Sequence, residues 1–330
     1  MLRLRARSAR RGRNRARCPP DPGRERPDEN GADTVKCLLP NTGGTQHEAI
    51  DPPPHGAPLM DWGLIVILLI MGVGGGFAAG LLGVGGGMVL VPFVTMIFTA
   101  RQFPPELVVH MAIATSLATI MFTSLSSVRA HHLHGAVRWP VVLLLAPGIV
   151  VGSWLGPWLA KQLNTSVLAL VFGVFVAFSA TQMILNRKPA ASRDLPGPPV
   201  MFGVGTTIGV VSGLVGAGGG FLSVPFMTWC NVKMHNAVAT SAALGFPIAL
   251  SGTLSNMYFG WNAPGLPAYS LGYIYLPAML VIALASVTMA PVGARMAHRM
   301  PVLKLKRIFA MILYALAAYM LWKSYSTAIG

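Results

Sequence analysis

The apolar stretches that follow one another from about residue 62 onward constrain the fold most, because hardly any charge interrupts them. The 270 residues after position 60 hold 14 Lys and Arg and only 3 Asp and Glu. That is about 6% charged residues, where a soluble globular protein has about 25%. The three acids, Asp61, Glu106 and Asp194, each lie beside an apolar stretch and not within one. Too few charges remain to cover a water-soluble domain, so the sequence predicts an integral membrane protein.

The charge and cysteine patterns argue against several other classes. A sequence pI near 10.5 would suggest a nucleic-acid partner in a soluble protein. Here the basic residues after position 60 lie in short segments between apolar runs, where the positive-inside bias puts them. Cys18, Cys37 and Cys230 are too scattered for a disulfide framework or a zinc site. We therefore expect no nucleic-acid partner, no metal, no cofactor and no catalytic residues.

Residues 1–59 differ from the rest of the chain. They are rich in Arg, Pro, Gly and Asp and have no apolar period, so they cannot bury enough surface to offset chain entropy. We expect a disordered basic extension. Two functional interpretations are a targeting arm and a tether to anionic lipid; the alternative is a mis-assigned start, with Met60 opening the folded protein.

The apolar stretches predict an all-α polytopic fold with eight to ten hydrophobic segments, since a helix needs about 20 apolar residues to cross a bilayer. Two stretches are too short to cross comfortably, and both follow a glycine cluster. The predicted stretches are 62–82, 86–100, 107–128, 139–160, 166–185, 200–215, 219–230, 236–261, 270–294 and 305–325.

The chain contains an internal repeat. Residues 80–95 match residues 213–228, and His110-Met-Ala-Ile-Ala-Thr-Ser116 matches His235-Asn-Ala-Val-Ala-Thr-Ser241; a weaker match pairs 156–160 with 293–297. The three matches occur in the same order. They predict two homologous membrane repeats, 60–188 and 199–330, joined by a linker over 189–198.

The basic segments indicate how the two repeats are oriented. Residues 129–138, 187–193 and 295–307 are rich in Arg and Lys, whereas 262–269 has no charge. If all three basic segments are cytoplasmic, equivalent segments of the two repeats lie on opposite sides of the membrane. The repeats should then be inverted, a plan common in secondary transporters. Each repeat must contain an odd number of crossings.

The duplicated glycine clusters, 83–87 and 216–220, predict interrupted helices near the middle of the bilayer. Unwound backbone is tolerated there only where it is buried in protein or lines a wet cavity, and the helix that follows would aim N–H groups at an anion. Alternatively, the glycines could serve only to let neighbouring helices pack closely. Neither cluster ends in the Gly-Lys-Ser/Thr of a nucleotide loop, so ATP-driven pumping is not expected.

The second duplicated motif supplies further polar candidates. Its Thr and Ser could donate to an oxyanion or could bond local carbonyls, and its His could contact substrate, handle protons or simply lie at the interface. With the glycines, the predicted substrate-binding residues are Gly85, Gly86, Gly87, His110, Thr115, Ser116, Gly218, Gly219, Gly220, His235, Asn236, Thr240 and Ser241.

The duplicated glycine and His-x-Ala-x-Ala-Thr-Ser motifs resemble those of the sulfite exporter TauE/SafE family, over about residues 60–325. The resemblance implies a multi-pass permease of the bacterial plasma membrane that moves sulfite or an organosulfur anion. It also implies that the glycine clusters and the Thr-Ser pairs line the substrate. Met111, where the second repeat has Asn236, would make such a site asymmetric.

Three classes of function remain open from the sequence. The first is a secondary carrier of a small anion, with the lipid bilayer and the solute as partners and self-association undecided. The second is an anion channel on the same scaffold. The third is a membrane enzyme or a non-transporting membrane subunit; an enzyme is disfavoured because no acid–base pair, nucleophile motif or metal set occurs in the apolar region.

Overall fold

The computed structural model describes residues 62–83, 86–185, 195–297 and 302–329. This part of the chain forms ten α-helices and one two-stranded hairpin, so the all-α polytopic prediction is confirmed. The helices are α1 Trp62–Leu82, α2 Gly87–Ala100, α3 Val108–Leu133, α4 Trp139–Lys161, α5 Thr165–Leu185, α6 Pro198–Val215, α7 Gly220–Trp229, α8 Met234–Gly260, α9 Leu276–Ala297 and α10 Val302–Ile329; the antiparallel strands are β1 Ser270–Leu271 and β2 Ile274–Tyr275.

Helix length separates these elements into two kinds. Eight helices are long and apolar enough to cross a bilayer. Helices α2 and α7 have 14 and 10 residues, or roughly 21 and 15 Å at 1.5 Å per residue, and these are the two stretches predicted to be short. One boundary differs from the sequence prediction: the stretch 270–294 begins with the β1–β2 hairpin, and α9 starts only at Leu276.

Contacts between the helix ends define two faces of the molecule. On the Glu106 face, which contains 101–107, 162–164 and 261–275, Thr165 Oγ1 donates to the Glu106 carbonyl and the backbone of Gly260 packs against Tyr273. On the Arg138 face, which contains 134–138 and 230–233, Arg138 N–H donates to Thr240 Oγ1 over 3.0 Å. Helix α3 therefore runs from the Glu106 face to the Arg138 face, and α8 runs the opposite way.

Two pairs of closely packed, parallel helices show in which direction α1 and α6 run between the two faces. A Cβ added at Gly76 of α1 would lie 2.4 Å from the Ser286 carbonyl of α9, and one added at Gly152 of α4 would lie 2.1 Å from the Thr206 carbonyl of α6. Only glycine permits such approach of two backbones. Contacts further along each pair keep the same order, so α1 runs parallel to α9 and α4 parallel to α6.

The repeats are consequently inverted. Helix α1 runs toward the Arg138 face and its equivalent α6 runs away from it; the same reversal relates α3 to α8 and α4 to α9. Helices α5 and α10 are equivalent and antiparallel, since Ser166 bonds Ser324 near one end and Thr181 bonds Tyr314 near the other. Each repeat has four long helices that cross between the faces and one short helix, α2 or α7, that ends at one face without crossing.

The described basic residues of the predicted basic segments lie at the Arg138 face. Inverted repeats place these segments on the same side of the membrane. Arg129, Arg138 and Arg295 lie at the Arg138 face, opposite the uncharged 262–269 segment. Residues 187–193 and 298–301 of the predicted basic segments lie outside the described residues. The same holds for the predicted N-terminal extension 1–59 and for most of the predicted linker 189–198.

Helices α3 and α8 form the centre of the protein and are the most enclosed of the long helices. They are also rich in hydroxyl groups, and each carries a series of buried hydroxyl or amide side chains. Those on α3 are Thr115, Ser116, Thr119, Thr123, Ser124 and Ser127, and those on α8 are Thr240, Ser241, Ser251, Thr253, Ser255 and Asn256. The outer helices carry exposed Leu, Val, Ile, Phe and Trp instead, as surfaces in contact with lipid chains require.

Candidate functional site at the helix breaks

The first glycine cluster interrupts the helical path between α1 and α2. Gly83 and Gly86 have φ of 65° and 72°, a left-handed conformation that glycine adopts without a Cβ penalty. The N–H groups of Val89 and Leu90 then fold back onto the Gly86 carbonyl, each over 3.1 Å, and start α2. Gly85, a predicted site residue, lies outside the described residues.

The second cluster repeats this geometry between α6 and α7. Gly216 and Gly219 have φ of 71° and 74°, and Leu222 and Ser223 donate to the Gly219 carbonyl over 3.1 and 2.9 Å. Gly218 lies in the unwound segment and Gly220 opens α7. The glycines therefore break the helix in both repeats, as the sequence predicts.

The two breaks meet in the middle of the protein. A Cβ on Gly87, the first residue of α2, would lie 2.1 Å from the Gly216 carbonyl and 2.7 Å from Ile120. A Cβ on Gly219 would lie 2.4 Å from Ile248. Ile120 and Ile248 occupy the middle turns of α3 and α8. The starts of α2 and α7 thus lie near mid-depth, with the start of α2 against the unwound backbone of the other repeat.

Ser241 connects the second repeat to the first break. Its hydroxyl donates to the Gly83 carbonyl over 3.0 Å and accepts from Ser223 over 2.8 Å. The equivalent Ser116 has a buried hydroxyl with no hydrogen-bond partner among the described residues. The difference arises partly because Leu90 occupies the position that Ser223 has in the other repeat. The two breaks are alike in backbone but differ in their polar side chains.

Thr115 and Thr240 bond to the entry of a neighbouring helix. Thr115 Oγ1 accepts from Tyr275 N–H over 3.1 Å, just before α9, and Thr240 Oγ1 accepts from Arg138 N–H, the N-cap of α4, over 3.0 Å. Helices α9 and α4 are repeat equivalents, so the two contacts are symmetric. Each hydroxyl therefore positions the start of a long helix.

The two motif histidines lie at opposite faces, because inversion separates residues that begin equivalent helices. His110 is 8% exposed at the Glu106 face, and its Nε2 lies 3.0 Å from the Ala160 carbonyl. His235 is exposed and Asn236 half-buried at the Arg138 face. The structure therefore places Gly87 against the second break and Ser241 against the first, and it places the two imidazoles at opposite faces.

Sequence reasoning missed two buried hydroxyl contacts near this centre. Ser223 belongs to the Ser241 cluster, and Thr123 of α3 lies 2.7 Å from Ser286 of α9 through their hydroxyl oxygens. Ser223 could have been found from the repeat itself, since it is a polar residue where the first copy has Leu90. Ser286 lies outside both duplicated motifs, and no local signal marks it.

Comparison with known proteins gives a consistent group of membrane transporters. Residues 68–320 match the family described as "Sulfite exporter TauE/SafE". A "Probable membrane transporter protein" of Haemophilus influenzae is 36% identical over 261 residues, which is 78% of this chain and 98% of that protein.

More distant relatives carry similar names. The probable membrane transporter protein YunE of Bacillus subtilis is 30% identical over 59% of this chain and 79% of its own length. A probable membrane transporter protein of Methanocaldococcus jannaschii is 26% identical over 78% of this chain and 96% of its own length. No solved structure matches the chain.

Proposed function

Since the chain belongs to the sulfite exporter TauE/SafE family of membrane proteins, we propose that it is a secondary transporter that exports a small anion by alternating access. Sulfite and organosulfonates are the substrate class. The solute binds between the two helix breaks, where the starts of α2 and α7 and the hydroxyl of Ser116 supply the donors, while Ser241 holds the first break through the Gly83 carbonyl.

The two helix breaks are the main observation that supports this proposal. The first N–H groups of α2, at Gly87 and Met88, and of α7, at Gly220 and Phe221, have no carbonyl four residues earlier within their own helix. Such groups, together with the positive end of the helix dipole, favour negative charge. Because they lie near mid-depth, an anion held there is reachable in turn from each face.

The distribution of acids supports an anion over a cation. Glu106 is the one acid among the described residues, and it is exposed at the Glu106 face. Carriers of cations and many proton-coupled carriers place Asp or Glu within the membrane. The buried polar groups of α3 and α8 are instead mostly hydroxyls, and the hydroxyl of Ser116, which has no partner among the described residues, can donate a hydrogen bond to an oxyanion.

Packing around the breaks supports a carrier over an open channel. Met88, Val91, Leu117, Leu244 and Ile248 surround this region and have 0% exposed side chains. A continuous aqueous pore would leave such side chains in contact with water. Exchange of solute therefore requires the two repeats to move relative to each other, as alternating access does.

The charge asymmetry between the faces gives the proposed orientation. The Arg138 face is cytoplasmic under the positive-inside rule, in the plasma membrane of a bacterial cell. The membrane potential then assists export of an anion by about 2.3 kcal/mol per charge per 100 mV.

A flux panel in proteoliposomes tests the proposal. The full chain should move labelled sulfite or a small sulfonate but not sodium, and Gly86→Leu and Gly219→Leu should abolish flux while inserting normally. Gly74→Leu and Gly203→Leu are matched controls, because a Cβ at either position meets no atom within 4 Å. Flux that is unaffected by the break variants rejects the site. Absence of flux for every anion favours a non-transporting subunit.

A further inference from the structure

Gly245 is a buried glycine in the middle of α8, next to the second helix break. Among the described residues, a Cβ added to it would meet two atoms of other elements within 4 Å. These are the Ser124 Cβ of α3 at 3.4 Å and the Gly218 carbonyl oxygen of the unwound segment at 3.7 Å. Both are ordinary van der Waals distances. A space the size of a methyl group therefore lies between α8, α3 and the second break.

The two reasons that require glycine elsewhere in this structure do not apply to Gly245. It lies within the helical turns of α8 and is not one of the glycines with positive φ. No backbone approaches it as the Ser286 carbonyl approaches Gly76, where an added Cβ would lie at 2.4 Å. Alanine would fit at this position and would stabilise the helix more than glycine does. Glycine here therefore weakens α8 and leaves room, which points to a function for the space.

The first repeat fills the equivalent space. Residue 120 of α3 corresponds to residue 245 of α8, and it is an isoleucine. The Ile120 side chain reaches the start of α2, where it would lie 2.7 Å from a Cβ on Gly87. Gly245 has no side chain that could reach the start of α7 in this way. The second break thus has room beside its short helix where the first break has a side chain.

The walls of this space suit an apolar group better than an oxyanion. Ser124 turns its Cβ toward Gly245, and its hydroxyl donates to the Met121 carbonyl over 3.1 Å. The Gly218 carbonyl oxygen only accepts hydrogen bonds. The donors that an anion needs are instead the first N–H groups of α7, which begin two residues after Gly218. A solute whose oxyanion faces the start of α7 would therefore direct an uncharged part toward Gly245.

We propose that Gly245 makes the anion site select small alkanesulfonates over sulfite. The sulfonate oxygens lie at the start of α7, and the carbon bonded to sulfur occupies the space beside Gly245. A methyl group matches this space, because an added Cβ already lies at contact distance from its neighbours. Sulfite has no carbon and leaves the space empty. The inference rests on the proposed anion transport and adds the substrate class and the residue that selects it.

Flux of labelled methanesulfonate and labelled sulfite through full-length Gly245→Ala in proteoliposomes tests this proposal. Because the alanine methyl fills the space, kcat/KM for methanesulfonate should fall at least about tenfold relative to kcat/KM for sulfite, as expected for the room of one methyl group. Tm should equal or exceed that of the wild type, since alanine fits and is the better helix former. A purely structural role of Gly245 would instead lower Tm and reduce both fluxes together.

Two other glycine-to-alanine variants are matched controls. Gly252→Ala lies about two turns further along α8, where the added Cβ would meet the Leu117 side chain at 3.1 Å. Gly74→Ala lies on α1, where a Cβ meets no atom within 4 Å. Both should keep the wild-type ratio of methanesulfonate to sulfite transport. The same ratio in Gly245→Ala as in the wild type, an equal shift in either control, or a wild type that prefers sulfite would overturn the proposal.

Binding measured without transport separates this inference from the proposed function. Methanesulfonate should raise the Tm of the full chain, and Gly245→Ala should remove most of that rise. If this pattern is found but no anion crosses the membrane, the site stands and the transport proposal is rejected. If sulfite flux depends on the break glycines but methanesulfonate binding and flux ignore Gly245→Ala, the transporter stands and the selective role of Gly245 is rejected. Absence of both binding and flux rejects both.

Discussion

Replacing Gly86 by alanine should destabilise the first helix break. Gly86 has φ of 72°, and a left-handed conformation costs a residue with a Cβ roughly 1–2 kcal/mol. The new Cβ would also lie 2.6 Å from the Gly75 carbonyl, and relieving such a backbone overlap typically costs about 1–3 kcal/mol. The expected loss is therefore about 2–5 kcal/mol, and at about 2–4 °C per kcal/mol it should lower Tm by at least about 4 °C.

Thermal unfolding in detergent and sulfite flux in proteoliposomes measure this effect together. Gly74→Ala is the matched control, because Gly74 lies in α1 near the same contact, has no atom within 4 Å of its Cβ position and should gain about 0.5–1 kcal/mol as a helical alanine. Flux should fall in Gly86→Ala at temperatures where both variants are folded. The reasoning is refuted if Gly86→Ala matches the wild type in both Tm and flux.

Three further substitutions test other parts of the structure. Thr115→Val leaves the buried N–H of Tyr275, just before α9, without its acceptor. It should lower the free energy of unfolding by about 1–3 kcal/mol, measured by thermal unfolding. An equal loss of stability in the exposed Thr207→Val control would contradict this. Gly76→Ala should separate α1 from α9 and lower Tm, since its Cβ would lie 2.4 Å from a carbonyl; an unchanged Tm would argue against the close pair. In cells whose protein has its native cysteines replaced by serine, an impermeant maleimide should label Asn262→Cys directly and Leu133→Cys only after permeabilisation; the reverse pattern would invert the proposed orientation.

The elements and the inversion of the repeats could be predicted because local signals determine them. Apolar length separates membrane helices from loops, and the basic segments at 129–138 and 295–307 require opposite orientations of the repeats. The glycine clusters predict the breaks, since residues such as Gly86 and Gly219 tolerate positive φ where other residues do not. The hairpin before α9 was missed because Ile274 and Tyr275 continue the apolar run of the helix, so composition does not mark the boundary.

The side-chain partners could not be predicted, because they depend on which helices of one repeat pack on those of the other. Thr115 and Thr240 follow one motif, yet their partners are backbone N–H groups more than 100 residues away. His110 and His235 are equivalent in sequence, but inversion places them at opposite faces. Lys161 and His110 line one cavity at the Glu106 face, and nothing near Lys161 in the sequence indicates this.

Counterflow of labelled sulfite tests the central claim most directly. Proteoliposomes loaded with unlabelled sulfite and diluted into a trace of labelled sulfite should accumulate label transiently above equilibrium, because a site that faces the two sides in turn exchanges one anion for another. Gly86→Ala and Gly219→Ala should abolish this overshoot, while Gly74→Ala should retain it. Equilibration without an overshoot, or an overshoot that survives both break variants, would contradict an alternating anion site between the two broken helices.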